Sequence, residues 1–150
     1  MWPAAAYAVD GYQEVTPGDP PNPHAGVGCD PDLLQQIRRS MGTACFFPYN
    51  DVIWLADRDE DGRSVAIQWK IVGGDRRGII RNKLGFGNGG YVDKDFPEGG
   101  TLKWRMGQCD QSPNNDCREA GDYTAWGAGS GWEAFCISIN AEGEAEICNW

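Results

Sequence analysis

DVIWLADRDEDGRSVAIQWKI, residues 51–71, decides the fold. Val52 to Ala56 is a short apolar run, Asp57 to Gly62 interrupts it, and the residues from Ser64 to Ile71 alternate. Val65, Ile67, Trp69 and Ile71 fall on one side and Ser64, Ala66, Gln68 and Lys70 on the other, the two-residue repeat of a half-buried strand. Asp61-Gly62 suits a tight turn, because glycine takes positive φ without a Cβ clash and aspartate hydrogen-bonds its own backbone. The stretch predicts a β-hairpin with residues 57–62 at its tip.

The same two-residue repeat recurs further along. Thr101 to Gln108 places Leu102, Trp104 and Met106 inward and Thr101, Lys103 and Arg105 outward, and Ile79 to Phe86 predicts another strand. Gly85, Gly87, Gly89 and Gly90 resemble a phosphate-binding glycine loop in composition alone, since no helix start follows to receive a phosphate. From Glu133 to Trp150 the chain predicts a second hairpin. With Ala141-Glu142-Gly143 as its loop, Asn140 faces Glu144 and Cys136 falls opposite Cys148. Upstream, Asp30-Pro31-Asp32 reads as a helix start, with Leu33, Leu34, Ile37 and Met41 as its apolar stripe and Gly42 as its end. The expected fold class is therefore mainly β, a small antiparallel sandwich or barrel with one short helix.

Six cysteines without CxxC spacing, beside a single histidine, lack the ligands of a zinc or haem site. They predict three disulfides and an oxidising, secreted setting. Order along the chain favours Cys29–Cys45, Cys109–Cys117 and Cys136–Cys148 among the possible pairings. A chain of 150 residues fits one domain. Residues 1–28 read as an extended Pro/Gly-rich arm and residues 29–150 as the disulfide-stabilised β domain. Met1-Trp2-Pro3 before three alanines is too short for a signal peptide, which predicts a leader already removed. No apolar run is long enough to span a bilayer.

The net charge of −9 is divided as −6 over residues 1–69, +4 over 70–105 and −7 over 106–150. An acidic chain without basic clusters interleaved with aromatics argues against nucleic acid, while the basic middle suits an acidic protein partner. The arm carries Trp2, Tyr7, Val9, Tyr12 and Val15, which are costly to leave in water and predict that it lies either on its own domain or on another chain, with docking on a partner as the leading expectation. Asp57, Asp59, Asp61 and Gly62 match the first half of a calcium loop, but Gln68 stands where the full motif needs a bidentate glutamate. Trp126 and Trp132 flank a glycine-rich stretch and are candidates for stacking on a carbohydrate face or on a partner's side chain. His24 lies in the arm without a partner nucleophile, and Glu98, Glu119 and Glu133 are the carboxylates a glycosidase would draw on.

The Asp-Gly turn, the Pro97-Glu98-Gly99 turn leading to a strand that ends at Cys109, and the paired cysteines resemble small secreted β-sandwich proteins of filamentous soil bacteria. With its apolar, proline-rich arm, the chain is similar among these to the adaptor subunit of umbrella toxin particles, which joins a lectin-bearing ring subunit to a toxin-bearing stalk. The resemblance implies a secreted, non-catalytic bridging protein whose arm enters a partner's cleft; no cofactor is expected apart from a candidate calcium ion at Asp57, Asp59 and Asp61. A calcium- or carbohydrate-binding extracellular domain is the alternative expectation, and a glycosidase-like enzyme the third.

Overall fold

The computed structural model describes residues 11–18, 36–47, 51–60, 62–97, 99–110, 132–140, 142 and 144–150. Its strands are β1 (Gly11–Glu14), β2 (Thr16–Pro17), β3 (Gln36–Arg38), β4 (Gly42–Phe47), β5 (Val52–Asp57), β6 (Arg63–Ile71), β7 (Arg77–Arg81), β8 (Gly89–Asp93), β9 (Leu102–Asp110), β10 (Trp132–Ile139) and β11 (Ala145–Cys148). They form a six-stranded sheet, ordered β1-β7-β6-β9-β10-β11, and a five-stranded sheet, ordered β2-β8-β5-β4-β3. In the larger sheet β1 runs parallel to β7 and the other neighbours pair antiparallel. The smaller sheet is antiparallel throughout.

Residues 51–71 hold two strands, but β5 and β6 do not form the expected hairpin. β5 pairs with β4 and β8, whereas β6 pairs with β7 and β9. The Asp-rich turn carries the chain from one sheet to the other. The cause lies in β5, whose six residues are all buried, so it needs cover on both faces and both edges. Ile53 and Leu55 enter the core between the sheets, while Val52, Trp54 and Ala56 pack with Cys45, Phe47 and Tyr91 on the outer side. The exit from β5 is tied to its own sheet's surroundings, through Arg58 N–H donating to Met41 O (3.1 Å) and Gly87 N–H to Asp57 O (2.9 Å).

The expected helix is overturned: among the described residues there is none. Residues 30–35 lie outside the described set, but Gln36–Arg38 is β3, paired antiparallel with β4 so that Ile37 faces Ala44. Gly42 opens β4 instead of ending a helix, because a Cβ there would stand 2.7 Å from Val65 Cγ2 and 2.8 Å from Ala56 O. Ile37 and Met41 fit a helical stripe and a strand-turn equally well over so short a window, and pairing with β4 decides between them.

The core lies between the sheets. Ile37, Ala44, Phe46, Ile53, Leu55 and Val92 from the smaller sheet meet Val65, Ile67, Trp69, Ile80, Trp104, Met106 and Ile137 from the larger. Asn82, fully buried, stitches the two sheets where the chain leaves β7. Its Nδ2 donates to Leu55 O and to Asn88 O (both 2.9 Å), Leu84 N–H donates to its Oδ1 (2.8 Å), and its backbone N–H donates to Val65 O (3.0 Å).

The tail hairpin matches the sequence expectation. β10 and β11 place Cys136 opposite Cys148 and Ile139 opposite Ala145, and Asn140 N–H donates to Glu144 O at 3.0 Å. Cys136 and Cys148 are disulfide-bonded. Cys45 and Cys109 are disulfide-bonded as well, while Cys29 and Cys117, the partners expected for them, lie outside the described residues.

Candidate interaction surface

Residues 11–18 of the N-terminal segment are built into the body. Among the described residues β1 lies at an edge of the larger sheet, and β2, one residue later, at an edge of the smaller one. Val15 makes the passage between them with its side chain in the core and its N–H donating to Arg81 O at 3.0 Å. It is 7% exposed, which leaves it no surface to offer a partner. Tyr12 stays half-exposed on the outer face, where its hydroxyl hydrogen-bonds Arg81. Burial raises the Tyr12 pKa above its ordinary value, Arg81 works against that, and Glu14 adds to it. Trp2, Tyr7 and Val9 lie outside the described residues, as do Trp126, His24, Glu98 and Glu119. Trp132 and Glu133 belong to β10, but their side chains lie outside the description.

The aspartates of the calcium-like turn are not equivalent. Asp57 is 3% exposed and its Oδ1 accepts the Asp59 N–H at 3.1 Å, the local bond that aspartate makes when it shapes a turn. Asp59 is half-buried and Asp61 is outside the described residues. Among the described residues no cluster of three or more His, Cys, Asp or Glu is placed to hold a metal ion.

At one end of the sandwich Phe46, Ile71, Phe96, Leu102 and Ile139 floor a cleft whose rim is Asp51. The residues that shape it come from connections between strands. Asp51 ends the β4–β5 turn with φ at 55°, a left-handed conformation that aspartate tolerates better than most residues. Its carboxylate Oδ2 accepts the Phe96 N–H at 3.0 Å and its carbonyl accepts the Lys94 N–H at 3.0 Å, tying the turn to the segment after β8. Burial pushes the Asp51 pKa up from its ordinary value; Asp95 and Asp93 add to this, while the Phe96 N–H and Arg76 oppose it. Phe96 in turn packs edge-on against Trp69, with ring centroids 5.1 Å apart. Two cations cap this aromatic pair: Lys94 Nζ lies 4.9 Å and Arg76 Cζ 5.8 Å from the Trp69 ring.

A half-buried acid with a raised pKa is the type of group that serves proton transfer. Here Asp51 is the one titratable group among the described lining residues, and the cleft holds about 100 Å³. That is room for a small side chain, well below the few hundred Å³ of an ordinary small-molecule site. Sequence reasoning passed over Asp51, Arg76 and Lys94. The Asn50-Asp51 pair was a readable turn signal, but nothing in the pattern placed Phe96 beside it.

No protein-family model, curated protein or solved structure matches the chain.

Proposed function

We propose that this chain is a secreted, non-catalytic interaction module that bridges partner subunits of an extracellular complex, with the residues before Gly11 as one docking element. The observation that carries the reading is the position of β1. It is an edge strand with β7 on one side and no described strand on the other, so its outer backbone groups suit extension by a partner strand. The ten residues that lead into it carry Trp2, Tyr7 and Val9, aromatic and apolar groups suited to a partner's pockets. Disulfide bonding at Cys45, Cys109, Cys136 and Cys148 supports an oxidising compartment. The small cleft with a single described carboxylate favours binding over catalysis. The finer reading, an adaptor between a lectin-bearing ring and a toxin-bearing stalk in an antibacterial particle, rests on the resemblance described above.

The test is a chain lacking residues 1–10. Because the described sheet pairing of β1 starts at Gly11 and is retained, this variant is expected to melt as the full chain does while losing a partner that the full chain retains from the secreted fraction of the producing cells. Retention of the same partner by the truncated chain would remove the reading.

A further inference from the structure

The outer face of the larger sheet carries a row of positive charge. Lys70 on β6 stands opposite Arg77 on β7 and opposite Lys103 on β9, so three cations sit side by side on adjacent strands. At the usual strand spacing the row spans about 10 Å. Arg105 lies on the same face of β9, one cross-strand row away, where its Nε donates to Gln68 Oε1 at 2.8 Å. Like charges placed directly opposite each other in a sheet repel.

Trp150 folds over this cluster. Its ring centroid lies 4.3 Å from Lys70 Nζ, 4.4 Å from Arg105 Cζ and 5.8 Å from Lys103 Nζ. Its main-chain oxygen accepts a hydrogen bond from Lys103 Nζ at 3.2 Å. The indole meets part of the electrostatic demand without supplying a negative charge. Among the described residues no side-chain carboxylate pairs with Lys70 or Lys103, and the buried Nε of Arg77 has no hydrogen-bond acceptor. Beyond Lys103 the row continues through Ser138 to Glu146, an exposed residue on the edge strand two strands away. Burial, with Lys103 and Arg105 close by, holds the Lys70 ammonium below its ordinary range, and burial brings Arg105 down to about 10.

We propose that this row, Arg77, Lys70 and Lys103 with Arg105 and the Trp150 indole, is a docking site for an acidic peptide segment of a protein partner. The chemistry of the row selects the occupant. An extended peptide with acidic residues at alternate positions presents carboxylates about 7 Å apart, which fits two of them within the row. Long polyanions are disfavoured because the chain as a whole carries −9. The proposal shares with the preceding section only the view that the partner is a protein, and it uses a different surface from residues 1–10.

The test follows the Trp150 indole N–H resonance of the oxidised full chain during titration with hexaglutamate at low salt. A saturating shift is expected, weakened by added salt. Lys70→Gln/Lys103→Gln is expected to weaken affinity by about tenfold or more, while Lys83→Gln, an exposed lysine away from the row, leaves it unchanged. The chain lacking residues 1–10 is expected to bind hexaglutamate as the full chain does, so failure of the arm reading and failure of this one are separable. No shift at Trp150, or undiminished affinity in a folded double variant, would overturn the site. Inorganic phosphate or heparin binding as tightly as hexaglutamate would overturn its assignment to an acidic peptide.

Discussion

Replacing Asn82 by alanine removes a buried side chain that hydrogen-bonds across the junction where β7 gives way to β8. The Asn82 amide donates to Leu55 O and Asn88 O and accepts from Leu84 N–H. It is 0% exposed, so water does not take its place in the intact fold. Each such bond contributes roughly 0.5–1.5 kcal/mol net, and partners left buried and unpaired add to the loss. Three bonds give an expected destabilisation of about 3 kcal/mol. For a chain of this size that is a fall in melting temperature of roughly 6–12 °C. Urea unfolding of the oxidised protein reads it directly, as a lower midpoint with an unchanged slope. Asn82→Asp separates hydrogen bonding from packing: it keeps the shape but turns a carboxylate toward two carbonyls, and is expected to be at least as harmful as alanine at neutral pH. A loss below about 1 kcal/mol for Asn82→Ala, or an Asn82→Asp variant as stable as the parent, would refute the reasoning.

Gly89→Ala would place a Cβ 2.4 Å from Trp54 Cζ2, so the indole must move; a loss of about 1–3 kcal/mol in the same urea assay is expected. Removing the tail bridge with Cys136→Ala/Cys148→Ala opens a crosslink between residues 12 apart and is expected to cost about 3 kcal/mol, with faster amide exchange along β11 than along β9. Asp51 has a folded-state pKa above its ordinary 3.8, so folding loses stability as pH rises from 3.8 through the folded value, and below 3.8 both states are protonated. Asp51→Asn keeps an oxygen for the Phe96 N–H and avoids that loss; its melting temperature relative to the parent is expected to climb between about pH 4 and pH 7. A relative value that falls over that range would contradict the burial argument.

The parts of the fold that were legible in the sequence are the local ones. The Cys136–Cys148 hairpin was readable because a turn and a cysteine spacing independently require one register. The alternation of β6 and β9 was readable too, as Ile67, Trp69, Trp104 and Met106 all enter the core. What alternation does not encode is the neighbour: Val52 to Ala56 and Ser64 to Ile71 each form a strand, in different sheets. The helix expected from Asp30 failed for a related reason, since Ile37 and Met41 serve a strand and its turn once β4 is available to pair with. Tyr12 and Val15 read as parts of a projecting arm because their partner β7 is distant in sequence and joined in parallel, a pairing without a local signal. For the cation row, the outward positions of Lys103 and Arg105 and the basic excess of residues 70–105 were visible. Their juxtaposition with Lys70 and Arg77 needs the cross-strand register.

Where each of these side chains points depends on β5 and β6 lying in opposite sheets, and a map of backbone nuclear Overhauser contacts tests that most directly. The expected map links Leu55 to Ala44 and Gly90, and Ile67 to Ile80 and Met106, along the observed ladders. A continuous ladder between Val52–Ala56 and Ser64–Ile71 would contradict the architecture and the face assignments built on it.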